Sequence, residues 1–167
     1  MGLFDFVKEA GEKIFGGDDD KPQNTVEVRE PSREDIERVQ ERKAASRLVK
    51  MILGLGFKVE DLSIKVDDGV ATLNGKVSSQ ADKERIVLAV GNTAGIGRVD
   101  DQLELEVPEP EATFYTVQSG DSLSKIAKQH YGNAMKYPEI FEANKPMLSD
   151  PDKIYPGQVL RIPPLAD

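Results

Sequence analysis

A proline-spaced segment near the middle of the chain, Pro108-Glu109-Pro110-Glu111, divides the sequence into two parts. Alternating prolines of this kind are typical of short, stiff connectors. The chain has 167 residues, and single domains commonly contain about 100–150. We therefore predict an α+β protein of two small domains, joined by a linker over residues 108–112.

The composition excludes several classes of function. The chain has 30 Asp and Glu against 22 Lys and Arg, a formal charge of −8. Non-specific binding to nucleic acids needs a positive surface, and docking on anionic membranes needs basic clusters, so the charge disfavours both. There is no cysteine, which rules out disulfides, thiolate nucleophiles and cysteine zinc sites. The single histidine, His130, follows an apolar helical pattern without a visible partner, and we expect an exposed helix-end residue and no enzyme.

The first residues predict a short helix. Residues 1–15 carry apolar side chains at i, i+4, i+7 and i+11, which form one stripe of an amphipathic helix; these are Leu3, Val7, Ala10 and Ile14. Because acidic and basic residues are balanced on its polar side, we expect this helix to pack on the next domain, the alternative being a helix on a membrane surface. Residues 16–31 are rich in Asp, Gly and Pro and predict a flexible linker.

The start of the chain also bears on location. A secretory signal needs about 7–15 continuous apolar residues, which Asp5, Lys8 and Glu9 interrupt. No stretch approaches the ~20 apolar residues of a membrane-spanning helix. We therefore expect a cytoplasmic protein without a transmembrane segment.

Residues 32–107 show the order helix, strand, strand, helix, strand. Ser32 followed by Asp35 predicts a helix start with a capping box, and Ser79 with Asp82 repeats that signal before a second helix. Between the two helices, alternating apolar residues on both sides of Asp68-Gly69 predict a β-hairpin. A third alternating segment around 99–105 completes a sheet that we expect helices to cover on one face.

Several of these residues together resemble a known family. The sequence Asp68-Gly69, Leu73, Gly75, Val77, Gly95-Ile96 and Val99 has the order and spacing of a BON domain, a small bacterial module. The resemblance implies the αββαβ sandwich already expected from the pattern.

Residues 113–164 are similar to a LysM domain along their whole length. The resemblance rests on YTVQSGDSL at 115–123, Asn144, and IYPGQVLRIP at 154–163. It implies a βααβ fold and, for many members, a shallow groove for N-acetylglucosamine polymers such as peptidoglycan. The implied groove residues are Gly120, Asp121, Ser122, Leu123, Asn144, Ile154, Tyr155, Pro156 and Gly157. The alternative is that these residues only build the fold.

Nearly the whole chain, including its first residues but not residues 16–34, resembles the family of small bacterial potassium-binding proteins that carry BON followed by LysM. The resemblance implies K⁺ as ligand, a site on the BON domain, and a LysM domain that moves on binding. Main-chain carbonyls suit a large hard cation, and a helix leaves its last four carbonyls unpaired at the negative end of its dipole. Our candidate ligands are the main-chain oxygens of Val7, Ala10, Glu12, Gly91, Thr93 and Ile96. An ordinary helix end that turns into the next strand is the alternative for residues 91–97.

From the sequence we thus predict a monomeric, cytoplasmic K⁺ sensor or buffer that changes conformation when it binds the ion. The alternative is a peptidoglycan-binding protein of the cell envelope that acts through LysM, since periplasmic BON proteins are associated with osmotic stress and the envelope. Selective binding of K⁺ over Na⁺, against binding to peptidoglycan, separates the two.

Overall fold

The computed structural model describes residues 2–6 and 30–165. Its first helix, α1, spans Arg33–Gly54 and begins as predicted, since the Asp35 amide donates to the Ser32 hydroxyl at 3.2 Å and the Ser32 amide donates to the Asp35 carboxylate at 3.1 Å. Hydrogen bonds from the hydroxyl and amide of Ser32 lower the pKa of Asp35. The capping box predicted from two residues is therefore confirmed in both directions.

The predicted hairpin follows. Strands β2 (Glu60–Asp67) and β3 (Val70–Val77) pair antiparallel across the turn Asp68-Gly69. Both turn residues have positive φ, 46° and 75°, as the tight turns that match the twist of a hairpin require.

Helix α2 (Gln80–Gly91) then crosses over the sheet to strand β4 (Arg98–Leu105), which lies parallel to β3. Parallel neighbours need such a crossover connection. The Ser79 hydroxyl accepts a hydrogen bond from the Asp82 amide at 3.1 Å and caps α2 as predicted. The αββαβ order expected for this part of the chain is confirmed.

The prediction of an amino-terminal helix is wrong for residues 2–5. Gly2–Asp5 form a strand, β1, which pairs antiparallel with β4 and gives the sheet the order β1-β4-β3-β2. The predicted helix used Leu3 as one of its buried apolar residues, but Leu3 is 59% exposed. The apolar contacts come instead from Phe4 and Phe6, which pack against the core at the two-residue period of a strand. Residues 7–15 of the predicted helix and 16–29 of the predicted linker lie outside the described residues.

The carboxy-terminal domain has the predicted βααβ order. Strands β5 (Thr113–Thr116) and β6 (Val159–Ile162) pair antiparallel and enclose helices α3 (Leu123–Tyr131) and α4 (Tyr137–Ala143), with a short 3₁₀ turn at Ala134–Lys136 between the helices. Its buried residues form a cluster of their own, and Phe114 and Met147 of this domain pack against the core of the first domain. The α+β class and the two-domain division are thereby confirmed.

The predicted linker is not a free spacer. The Gln80 amide at the start of α2 donates to the Glu109 carboxylate at 2.8 Å, and the Ala112 amide donates to the Glu84 carboxylate at 2.8 Å. The connector therefore runs along α2 and leads the chain directly to the side of that helix on which the second domain lies.

Candidate functional site

Helix α2 ends where the sequence placed a candidate ion loop. The carbonyls of Leu88, Ala89 and Val90 accept hydrogen bonds from the amide of Asn92 and from the hydroxyl and amide of Thr93, respectively. Within residues 2–6 and 30–165, no donor is paired with the carbonyl of Gly91. The last turn contains no basic residue, so no side-chain cation there competes for the negative end of the helix dipole.

The loop that follows, residues 92–97, is anchored from inside. The side chains of Thr93 and Ile96 are 2% and 1% exposed. The Ile96 amide donates to the Thr93 carbonyl at 3.2 Å, and the Gly97 amide donates to the Gly69 carbonyl at 2.9 Å in the hairpin turn. With the side chains of Thr93 and Ile96 held in the core, the folded domain positions the main chain of this loop, which is what a site made of carbonyl oxygens needs.

The amino-terminal segment reaches this loop. The Phe6 amide donates to the Gly97 carbonyl at 2.9 Å, and the Phe6 ring packs so closely on Gly91 that a Cβ there would lie 2.1 Å from it. The sequence prediction that the amino terminus and the end of α2 meet thus agrees with the described residues as far as Phe6, although the segment is a strand. The predicted ligands Val7, Ala10 and Glu12 lie outside the described residues.

The ligands predicted for this region are main-chain oxygens. In the part of the chain that the structure describes, no group of three or more His, Cys, Asp or Glu side chains is placed to hold a metal ion. Three of the predicted ligands, Gly91, Thr93 and Ile96, lie at the end of α2 and in the loop that follows it.

The second domain docks beside the same loop. The Asn92 side chain donates to the Val159 carbonyl at 2.8 Å and accepts from the Val159 amide at 2.8 Å. The Tyr155 hydroxyl lies 3.5 Å from the Asn92 carbonyl. The candidate ion loop and the start of β6 are therefore in direct contact.

About two helical turns before Asn92, a buried carboxylate holds the same two domains together. Glu84, 4% exposed, accepts hydrogen bonds from the Gln80 side chain and the Ala112 amide, each at 2.8 Å, and from Arg161 on β6. Arg85 adds a hydrogen bond to the Ala143 carbonyl at 3.1 Å.

These interdomain residues were not predicted from the sequence. A signal was available in the run from Ile86 to Val90, because five consecutive apolar residues make a helix apolar on every side, and such a helix is buried on every side. The run could have shown that α2 is covered by more than its own sheet, although it does not say which residues cover it.

A cavity of about 410 Å³ lies where β1, α2, β4 and the linker meet. The Lys83 ammonium donates to the Leu103 carbonyl at 2.7 Å and lies 3.4 Å from the Asp101 carboxylate. Burial raises the pKa of Asp101, although the hydrogen bond from the Leu103 amide partly opposes it. Two of the charged groups that line this cavity, Lys83 and Asp101, thus pair with each other.

The residues of the predicted glycan groove serve the fold in several ways. Leu123 and Asn144 are buried at 2% exposure, and the Asn144 carboxamide bonds to the main chain of Ile140 and Arg161. Hydrogen bonds from the Gln118 amide and the Tyr115 hydroxyl lower the pKa of Asp121.

The other predicted groove residues are placed as follows. The Ser122 hydroxyl caps α3. The two loops of the groove are neighbours, because the Gly157 amide donates to the Val117 carbonyl at 2.8 Å. The loop residues Gly120, Ser122 and Pro156 are exposed, while Ile154, Tyr155 and Gly157 are half-buried. His130 is exposed near the end of α3, as predicted, with its ring edge-on to Tyr115.

Comparisons with known proteins agree with both domain resemblances. A BON domain matches residues 37–106 and a LysM domain matches residues 115–163. Over 166 residues the chain is 49% identical to the potassium binding protein Kbp of Escherichia coli, which covers 98% of this chain and 99% of that protein.

Two similarities are confined to shorter stretches. An uncharacterized protein of Deinococcus radiodurans is 57% identical over 51 residues, 30% of this chain and 19% of that protein. An esterase of Mycobacterium tuberculosis is 47% identical over 53 residues, 32% of this chain and 11% of that protein. Among the described helices, none is both long and apolar enough to span a membrane.

Proposed function

The chain belongs to the family of the potassium binding protein Kbp, and we propose that it binds K⁺ at the carboxy-terminal end of α2. The observation that carries the proposal is the 49% identity to that protein over nearly the full length of both chains. The local geometry supports it, because the amino-terminal strand, the end of α2 and the loop 92–97 meet at one point.

The proposed ligands are main-chain oxygens of the amino-terminal segment and of this loop. Potassium is large, and rings of carbonyls can replace its water shell without a fixed charge. The dipole of α2 adds partial negative charge at the same place. The acidic charge of the chain acts at longer range: residues 113–167 contain six basic and six acidic side chains, so the whole net charge of −8 belongs to residues 1–112 and attracts cations toward the BON domain.

Binding is coupled to the arrangement of the two domains. In the docked arrangement, Asn92 of the loop and Glu84 of α2 contact β6 of the LysM domain. A K⁺ ion that binds this arrangement more tightly than an open one shifts the population toward it. The protein then acts as a monomeric, non-enzymatic sensor or buffer of K⁺ in the cytoplasm.

Titration calorimetry with KCl and with NaCl at matched ionic strength tests the ligand, and small-angle scattering of the same samples tests the change of shape. We expect binding and contraction with K⁺ and neither with Na⁺. Equal responses to the two salts would contradict the proposal. Cell fractionation tests the location, and recovery in the envelope fraction would contradict a cytoplasmic protein.

The substitution Gly91→Ala tests the position of the site. Its Cβ would lie 2.1 Å from the Phe6 ring, so the amino-terminal segment must move away from the loop. We expect the affinity for K⁺ to fall by about tenfold or more, because the two parts of the site no longer meet. Gly54→Ala is the matched control, since that glycine also ends a helix and a Cβ there meets nothing within 4 Å. Wild-type affinity in Gly91→Ala would place the ion elsewhere.

The second candidate function, glycan binding, is favoured by the match of residues 115–163 to a LysM domain. The predicted groove is open at Gly120, Ser122 and Pro156, while the Tyr155 side of it lies against α2. Co-sedimentation with purified peptidoglycan tests this function. Sedimentation of the protein together with equal responses to K⁺ and Na⁺ would favour it over ion binding.

A further inference from the structure

The outer edge of β6 is covered by two asparagine side chains. Strand β5 pairs with one edge of β6, and alternate residues of a strand direct their amides and carbonyls to the other edge. At that edge, Asn92 bonds to both the amide and the carbonyl of Val159, each at 2.8 Å. Two residues on, Asn144 bonds to the amide of Arg161 at 2.8 Å and to its carbonyl at 2.9 Å.

The two asparagines come from different domains. Asn144 follows α4 of the LysM domain itself, is 2% exposed, and also donates to the Ile140 carbonyl at 2.7 Å. Asn92 belongs to the BON domain and is half-buried. The LysM fold therefore covers only part of its own strand edge, and the amide and carbonyl of Val159 are completed by a residue that reaches across the interface.

Asn92 is also the residue that ends α2. Its amide donates to the Leu88 carbonyl at 2.9 Å, which holds its backbone in the last turn. Its chain neighbours are Gly91 and Thr93, two of the proposed ion ligands. A change in the main chain of this loop must therefore move the Asn92 side chain, because its Cα is part of that main chain.

We propose that Asn92 is the positioning residue that couples the ion loop to the docking of the LysM domain, an inference that rests on the proposed binding of K⁺ by this loop. With the loop carbonyls turned to an ion, the carboxamide is aligned with the edge of β6. With the edge of β6 in place, the same two hydrogen bonds hold the loop in its ion-binding form. Such a coupling is reciprocal, since each event changes the equilibrium of the other by the same factor.

The size of the coupling follows from the contacts. Two neutral hydrogen bonds together change a docking equilibrium by roughly tenfold. Water can satisfy Val159 when the domains separate, so that loss of the contact opens the molecule without unfolding the LysM domain.

The test uses the full-length chain with the substitutions Asn92→Ala and Asn92→Asp. Asn92→Ala removes both hydrogen bonds, and Asn92→Asp keeps the acceptor for the Val159 amide but sets a carboxylate oxygen against its carbonyl. We expect both variants to lose the contraction caused by KCl in small-angle scattering. We also expect calorimetry to show affinity for K⁺ roughly tenfold weaker in Asn92→Ala.

Two control variants separate positioning from folding. Asn74→Ala changes an exposed asparagine on β3 and should behave as wild type. Asn144→Ala should lower the thermal stability of the LysM domain, whereas Asn92→Ala should leave it within error. Wild-type contraction in Asn92→Ala, or a loss of LysM stability equal to that of Asn144→Ala, would overturn the coupling role. Absence of K⁺ binding in the wild type would instead overturn the proposed function itself.

Discussion

The two sides of α2 are buried against different partners, and adjacent residues in the helix mark the division. Lys83 faces the sheet of its own domain and lies 3.4 Å from Asp101 on β4. Glu84, the next residue, faces the LysM domain and binds Arg161 on β6. The sheet side also carries Ile86, Val87 and Val90 in the BON core, whereas Glu84, Arg85 and Asn92 make hydrogen bonds on the LysM side. Apolar contact between the domains is also present, since the ring centroids of Phe4 and Phe114 lie 5.3 Å apart.

This difference separates what holds a domain together from what holds two domains to each other. Apolar burial on the sheet side is favourable whenever the domain is folded. On the LysM side, each hydrogen bond replaces one that water would make after separation, so its net contribution is small. These hydrogen bonds therefore suit a docking equilibrium that a bound ion can shift.

The largest expected effect comes from the sheet side of α2. Ile86 is fully buried in the BON core, and Ile86→Ala should lower the free energy of unfolding by about 2–5 kcal/mol, since it removes buried methyl groups and leaves a cavity. Urea denaturation measures this. Ile36→Ala is the matched control, because Ile36 on α1 is 45% exposed. Equal effects of the two substitutions would show that the sheet side of α2 is not the main source of stability.

The LysM side should respond differently. Glu84→Gln removes the carboxylate that pairs with Arg161, whose side chain is 11% exposed. Loss of one partner of a buried ion pair costs about 3–5 kcal/mol if the other stays buried. Here separation of the domains returns Arg161 to water. We therefore expect an open molecule, and we expect the free energy of unfolding of its BON domain to stay within about 1 kcal/mol of the wild-type value.

Small-angle scattering and urea denaturation of the same variant check this expectation. Glu142→Gln is the control, since Glu142 also forms an ion pair, at 2.7 Å with Lys145, but on an exposed surface, where such pairs contribute about 0–1 kcal/mol. If Glu84→Gln unfolds the BON domain and does not open the molecule, the two sides of α2 are not energetically separate.

The same division explains what could be predicted from the sequence. The capping box at Ser32 and the turn at Asp68-Gly69 depend on residues a few positions apart, and both were predicted correctly. Strand β1 pairs Phe4 with Val99, a partner far along the chain, and its short sequence fitted a helical stripe as well as a strand. The residues of β1 alone do not determine whether this segment forms a helix or a strand, because pairing with β4 decides it.

The candidate site also combines local features that could be predicted from the sequence with long-range contacts that could not. A glycine-ended helix followed by the loop 91–97 is visible in the sequence, and the family resemblance gave it a ligand. Asn92 and Glu84 were missed because their partners, Val159 and Arg161, lie 67 and 77 residues later. No pattern within α2 names those partners, although the apolar run from Ile86 to Val90 shows that something must cover the helix.

The smallest expected effect is on pH dependence and concerns Asp101, on the sheet side of α2. Burial raises its pKa in the folded state above the unfolded value of about 3.9. Between the two pKa values the folded state binds more protons, so this carboxyl makes the free energy of unfolding rise as the pH falls and decline as the pH rises.

Asp101→Asn removes the titrating group, while Lys83 keeps its hydrogen bond to the Leu103 carbonyl. Urea midpoints measured from about pH 4 upward should therefore lose this contribution to their slope in Asp101→Asn and keep it in Asp67→Asn, whose side chain is 66% exposed. Identical slopes in Asp101→Asn and wild type would mean that the buried pair on the sheet side of α2 does not titrate in this range, and that the two sides differ only in what they contact.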